Sequence, residues 1–104
     1  GSYQVVYSSD PEPIPLNEEF SLDLAVYGTN DQSQPLQDVE LLASAEMPEH
    51  SHGMPQEPLM ESNGDGTYTA SGMLFQMSGY WEILVWVTGE GPTELAVFSV
   101  DCCE

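Results

Sequence analysis

Apolar and polar side chains alternate along most of the chain with a period of two residues. This pattern is typical of a β-strand with one buried face, because successive side chains of a strand point to opposite faces. No stretch sustains the 3.6-residue period of a helix. The apolar members of the alternating rows are Tyr3, Val5 and Tyr7; Phe20, Leu22, Leu24 and Val26; Val39, Leu41, Ala43 and Ala45; Tyr68 and Ala70; Trp81, Ile83, Val85 and Val87; and Ala96, Phe98 and Val100.

Turn-forming residues separate these rows. The repeated prolines of residues 10–15 favour an extended connection, because proline lacks the N–H that a helix interior or a central strand needs. Residues 63–66 (NGDG) and 89–92 (GEGP) predict hairpin turns, since Gly and Asn readily adopt positive φ. The whole pattern predicts an all-β fold, an immunoglobulin-like antiparallel β-sandwich of about seven strands.

The chain of 104 residues has the length of one domain, and we expect a single sandwich over residues 1–104. Residues 1–2, Gly-Ser, have the form of an expression scar, which is compatible with removal of a leader peptide. Residues 101–104 are expected to form a flexible tail. The tail carries Cys102 and Cys103, and adjacent cysteines seldom bridge, because the tight ring strains the peptide bond between them.

The charge balance narrows the range of partners. The chain has no lysine or arginine and 18 acidic residues, a formal net charge of −18 at pH 7. Without cationic side chains it cannot neutralise phosphates, so we expect no nucleic-acid binding and no direct binding to anionic membranes. Apolar burial and backbone hydrogen bonds must then supply the stability, and charge repulsion should weaken the fold at low salt. No apolar run approaches the ~20 residues that span a bilayer.

One stretch interrupts the alternation: residues 47–58, called here the Met/His segment. Its three prolines and one glycine predict a loop, and long structured loops on a sandwich are where function usually lies. The segment holds both histidines of the chain, His50 and His52, between Met47 and Met54. Imidazole and thioether are ligands that copper accepts, so the segment is a candidate copper site. Neighbouring strands offer further thioethers at Met60, Met73 and Met77.

Other interpretations of the same residues stay open at this point. Methionine is also a flexible filler of protein cores, and histidines in surface loops are commonly only solvated. Zinc would call for four ligands at a recognisable spacing, which the nearby glutamates do not show. Residues 63–66 loosely resemble part of a calcium loop but lack its regular oxygen spacing, which favours the hairpin turn. Catalytic motifs such as a Gly-x-Ser-x-Gly elbow are missing, so we do not expect an enzyme.

Four blocks of sequence occur in a fixed order: PIPLNE at residues 13–18, MPEHSHGM at 47–54, GDGTY at 64–68 and GMLFQMSGYWE at 72–82. In this order they resemble the YtkA-like and FixH-like domains, which are exported bacterial sandwich modules of mostly unassigned function. The resemblance extends over residues 13–100, and the order of the blocks makes it more specific than any one block.

The resemblance implies an immunoglobulin-like fold outside the cytoplasm and a link to copper. The ligands that it implies by position are Met47, His50, His52, Met54 and Met77, with Met73 as a further one. Where relatives often carry His-Met-Pro, this chain has Gln76, Met77 and Ser78. A third imidazole is therefore missing, which disfavours Cu(II) more than Cu(I).

Together these features predict a periplasmic or otherwise extracytoplasmic module that binds or delivers copper and has a copper-transfer or membrane-protein partner. The alternative is a non-catalytic structural or protein-interaction sandwich without metal, in which the Met/His segment packs over one end. A third interpretation is a domain from a saline habitat whose stability depends on cations, which a titration with Ca²⁺ or NaCl would reveal.

Overall fold

The computed structural model describes residues 3–29, 33–89 and 91–103, and within them it contains strands but no helix. Strand order along the chain follows the alternating rows, with two additional short strands after the third row. The strands are β1 (Tyr3–Asp10), β2 (Glu19–Gly28), β3 (Glu40–Met47), β4 (His52–Gly53), β5 (Leu59–Ser62), β6 (Thr67–Leu74), β7 (Gly79–Thr88) and β8 (Glu94–Cys102).

The strands form two antiparallel sheets of four. One sheet has the order β1-β2-β6-β5 and the other has the order β4-β3-β7-β8. These are the positions of strands A-B-E-D and C′-C-F-G in an immunoglobulin-like sandwich. The predicted fold class is therefore confirmed, with eight strands in the described residues where about seven were expected.

The core lies between the two sheets and is built from the apolar faces that the alternation predicts. Trp81 of β7 stacks on Phe75 with ring centroids 4.2 Å apart. Phe75 meets Phe20 of β2 edge to face at 5.1 Å, so one aromatic cluster joins the sheets. Other side chains that are fully buried in the core are Leu22, Leu24, Val26, Met47, Met73, Ile83, Val85 and Val87.

Strand β6 changes phase part of the way along its length. Met73 pairs with Phe20 and Ala70 pairs with Leu22, so two residues of β6 lie opposite one residue of β2. This β-bulge contains Gly72, whose φ of 77° lies in the left-handed region that glycine tolerates. Because of the extra residue, buried positions shift from even numbers (Tyr68, Ala70) to odd numbers, and Met73 enters the core.

The predicted connections are found where the structure describes them. The turn at residues 63–66 joins the antiparallel pair β5 and β6, and the residues on either side of position 90 join β7 and β8. Residues 11–18 contain no strand. Strands β4 and β5 were not predicted, because both are short and carry no apolar alternation.

The end of the chain differs from the sequence expectation. Residues 101 and 102, assigned to a tail, are the last residues of β8, and Cys102 is buried opposite Gly79. The Sγ atoms of Cys102 and Cys103 are in contact with each other at this end of β8. Both cysteines pack against the core, which holds their side chains at one end of the sandwich. Residues 1–2 and 104 lie outside the described residues.

One side-chain hydrogen bond ties the two sheets together. The Tyr68 hydroxyl of β6 donates to the carbonyl oxygen of Val39, next to β3, at 2.7 Å. Burial raises the pKa of Tyr68 above its ordinary value of 10.0, and the nearby charge of Asp38 raises it further. The buried hydroxyl is therefore held in its protonated, donating form.

We expect Tyr68→Phe to lower the free energy of unfolding by about 1–3 kcal/mol, because it leaves the buried Val39 carbonyl without its donor. The matched control is Tyr80→Phe, whose hydroxyl bonds the side chains of Glu82 and Ser99 nearer the surface and should cost less. Urea unfolding at pH 7 measures both values. Equal losses in the two variants would contradict a special role for Tyr68.

The same hydrogen bond predicts a pH dependence. Because the folded-state pKa of Tyr68 is raised, its contribution is complete below about pH 10 and is lost as the pH rises through the folded value. The difference in unfolding free energy between wild type and Tyr68→Phe should therefore shrink above pH 10.

Candidate metal site at the Met/His segment

The Met/His segment begins as a tight hairpin. Met47, the last residue of β3, pairs directly with His52 of β4. The His50 amide donates to the Met47 carbonyl at 3.1 Å, which closes a β-turn whose second residue is Pro48. Proline suits this position because its φ is fixed near −65°. Ser51 follows with a φ of 55°, and this left-handed residue returns the chain into β4.

The hairpin places both histidines on the surface at the edge of the β4-β3-β7-β8 sheet. Their ring centroids lie 6.5 Å apart, with 27° between the ring planes. Two imidazoles on one ion, with metal–nitrogen bonds of about 2.0–2.1 Å, would have centroids no more than roughly 6.4 Å apart. The observed separation exceeds that limit, so the two rings as placed do not share an ion. Both side chains are exposed, and binding of one ion by both would require them to rotate toward each other.

A cleft of about 570 Å³ opens beside β4, and it collects several donor types. His52 and Met54 line it, together with Glu46 and Glu57. The carboxylates give the cleft a negative potential that attracts cations. His50 and Met77 are not part of its lining.

The methionines named by the sequence fall into two groups. Met47 and Met73 are fully buried, and the Cε of Met47 is so close to Gly79 that a Cβ at that position would approach it to 2.8 Å. Both side chains therefore belong to the core, and Met47 also lines the cleft beside β4. Met54 is half-buried, whereas Met77 is 39% exposed in the loop between β6 and β7, residues 75–78.

Gln76 links this β6–β7 loop to the hairpin. Its Nε2 donates to the Gly53 carbonyl at 3.0 Å, between His52 and Met54 in the chain. Its Oε1 is buried and has no hydrogen-bond partner among the described residues. The loop is also anchored to the core, because the Trp81 indole donates to the Met77 carbonyl at 2.9 Å. From the sequence, Gln76 was interpreted only as the place of a missing histidine. Its position beside the candidate ligand Met77 was the available signal that it contacts the hairpin.

Nitrogen, oxygen and thiolate ligands alone do not gather at one point in the described residues. Within residues 3–29, 33–89 and 91–103, no group of three or more His, Cys, Asp or Glu side chains is placed to hold a metal ion. The residues around β4 instead combine the imidazole of histidine with the thioether of methionine, a ligand type that is not among those four residue types. Soft monovalent metals accept this combination.

Comparison with known proteins identifies the fold. No protein-family model matches the sequence, and no curated protein matches it. Among solved structures, the chain is similar to a DUF4426 family protein from Pseudomonas aeruginosa PAO1, with a TM-score of 0.66 and 13% sequence identity. The match covers 98% of this chain and 91% of that one. At this identity the likeness shows the sandwich fold alone.

A search of the described residues for a membrane-crossing helix found none of sufficient length and hydropathy.

The burial of the methionines predicts an order of oxidation by hydrogen peroxide. Met77 should form its sulfoxide first and Met54 next, while Met47 and Met73 should be protected, because peroxide must reach the sulfur. Peptide mapping by mass spectrometry over time measures each rate. Modification of Met47 or Met73 as fast as Met77, in protein that remains folded, would contradict the two groups described above.

Proposed function

We propose that this chain is an exported copper-binding module that holds Cu(I) at the end of the sandwich formed by the β3–β4 hairpin and the β6–β7 loop. The observation that carries the proposal is the cleft beside β4, which both His52 and Met54 line. The resemblance to the YtkA-like and FixH-like domains supports both copper and an extracytoplasmic location.

The ligands that fit best are a subset of those named by the sequence. His50 and His52 supply imidazoles, and Met54 and Met77 supply thioethers that are not enclosed in the core. Gln76 holds the two loops together, and its unpaired Oε1 is a neutral oxygen beside them. Met47 and Met73 are fully buried in the core and are not proposed as ligands. Copper, when bound, would supply a soft cationic centre for these donors.

The exposure of the ligands favours delivery over permanent storage. His50, His52 and Met77 are exposed, so a partner's ligands can reach an ion held there without any opening of the fold. A buried, fully enclosed site would not permit such exchange. We therefore propose a copper-transfer partner, which includes membrane proteins that handle copper.

The test is a Cu(I) titration against a competing chromophoric chelator under reducing, anaerobic conditions. Wild type should take up a single ion per chain. The variant His50→Ala/His52→Ala should lose at least about tenfold in affinity, equivalent to about 1.4 kcal/mol. Met77→Leu should also weaken binding, whereas the control Met60→Leu changes a half-buried thioether on β5 in the other sheet and should not.

Failure of wild type to compete for Cu(I), or unchanged affinity in the double-histidine variant, would overturn the proposal. Either result would leave the sandwich without its metal function and favour the protein-interaction alternative.

A gain of affinity is expected from Gln76→His. The new imidazole would lie beside Gly53 and Met77, and its ring N–H is able to replace the donor now bonded to the Gly53 carbonyl. We expect at least about tenfold tighter binding, with the larger gain for Cu(II), which prefers nitrogen ligands. The matched control is Gln4→His, since Gln4 has the same side chain and is exposed on β1 in the other sheet. Equal gains in both variants would show only a general effect of added histidine.

A further inference from the structure

The solvent face of the β4-β3-β7-β8 sheet carries an apolar patch that the core does not use. The register places Leu42 beside Trp86 and Trp86 beside Leu95 in one row across three strands. Two residues before Trp86 on β7, Leu84 lies beside Val97 of β8. These five residues are called the outer-face patch. Leu42 is 67% exposed, Leu95 and Val97 are exposed, and the two β7 residues are half-buried.

The two rows of the outer-face patch are adjacent, and together they occupy one half of the solvent face of the sheet. Adjacent strands are about 4.8 Å apart, so the row from Leu42 to Leu95 spans about 10 Å, and the second row lies about 7 Å away along the strands. The equivalent face of the other sheet has a polar central row, which contains Ser8, Asp23, Thr69 and Glu61, and its exposed apolar residues Val6 and Leu59 lie on the two edge strands. Apolar residues in adjacent positions across three strands therefore distinguish the outer-face patch, and such patches mark binding surfaces.

A groove of about 560 Å³ adjoins the patch. Leu42, Trp86 and Pro58 form its apolar wall, and Glu57 and Thr88 line its border. A recess of this kind can receive one anchoring side chain of a partner, and interfaces commonly concentrate their binding energy at such anchors.

The rim of the patch determines what kind of partner fits. On one side of the patch, Glu40 lies two residues before Leu42 on β3. On the other side, the row next to Leu84 and Val97 contains Glu46, Glu82 and Ser99. A second copy of the chain would bring acidic rims together, and it has no lysine or arginine to pair with them. Juxtaposed like charges oppose association, whereas complementary charges favour it.

We infer that the outer-face patch docks a different protein, one whose contact surface has an apolar centre bordered by lysine or arginine. This goes beyond copper binding and does not depend on it. Ser44 and Glu57 line both the groove and the cleft beside β4, so a docked partner would also lie next to the candidate metal ligands.

The experiment uses metal-free protein with a chelator present, so that failure of the copper proposal does not affect it. The probe is a short synthetic peptide with leucines at its centre and lysines at its flanks, titrated into ¹⁵N-labelled protein by NMR. Two further peptides replace the leucines by serine or the lysines by glutamate. The leucine–lysine peptide should shift the signals of Leu42, Leu95 and the Trp86 indole, and the other two should bind at least about tenfold more weakly.

The matched variants are Leu42→Ser and Leu59→Ser. The two leucines are 67% and 62% exposed, but Leu59 lies on β5 in the other sheet. Leu42→Ser should weaken binding of the leucine–lysine peptide at least about tenfold, and Leu59→Ser should leave it unchanged.

Three results would overturn the inference. Equal losses of peptide affinity in both leucine variants would indicate nonspecific attraction to the whole surface. Equal binding of the serine–lysine peptide would indicate that charge alone accounts for the affinity. The third is a dimer of wild type in sedimentation equilibrium that Leu42→Ser dissociates, which would make a second copy the occupant. Folding of both variants is verified by their unchanged amide spectra away from the substitution.

Discussion

The packing of Trp81 against Phe75 is the interaction on which the rest of the molecule depends. The two ring planes are nearly parallel, with 2° between them, and Phe20 completes the cluster from the opposite sheet. A chain without lysine or arginine can form few ion pairs. The burial of apolar and aromatic side chains must therefore outweigh the repulsion between the acidic residues of its surface. The same indole holds the Met77 carbonyl, and the geometry of the candidate site therefore follows from the core.

The architecture could be predicted from the sequence because most strands of this protein have one solvent-exposed face and one buried face. That contrast appears as alternation in the rows through Leu22, Leu41 and Trp81, and glycine-containing turns mark where hairpins reverse. Strands β4 and β5 left no such signal, since they are edge strands of two and four residues held by backbone hydrogen bonds. The end of β8 was misassigned because polar Asp101 and the adjacent cysteines do not resemble a strand.

The candidate site was predictable in part. Composition alone drew attention to His50 and His52, and the structure places His52 in a cleft with Met54. The burial of Met47 was accessible from the sequence, because it continues the odd-numbered apolar row of β3. The burial of Met73 was not, because the bulge at Gly72 reverses the phase of β6. Contacts between distant loops, such as that of Gln76 with Gly53, depend on how the sheets stack and leave no local pattern.

Strand β7 carries both tryptophans of the chain, five positions apart. An odd separation on a strand sends side chains to opposite faces, so Trp81 is enclosed while Trp86 meets solvent. The protein thus contains two natural fluorophores in different surroundings. Emission from Trp81 should lie at shorter wavelength and resist soluble quenchers, whereas emission from Trp86 should be accessible to them. Unlabelled protein can therefore report separately on its interior and on one outer surface.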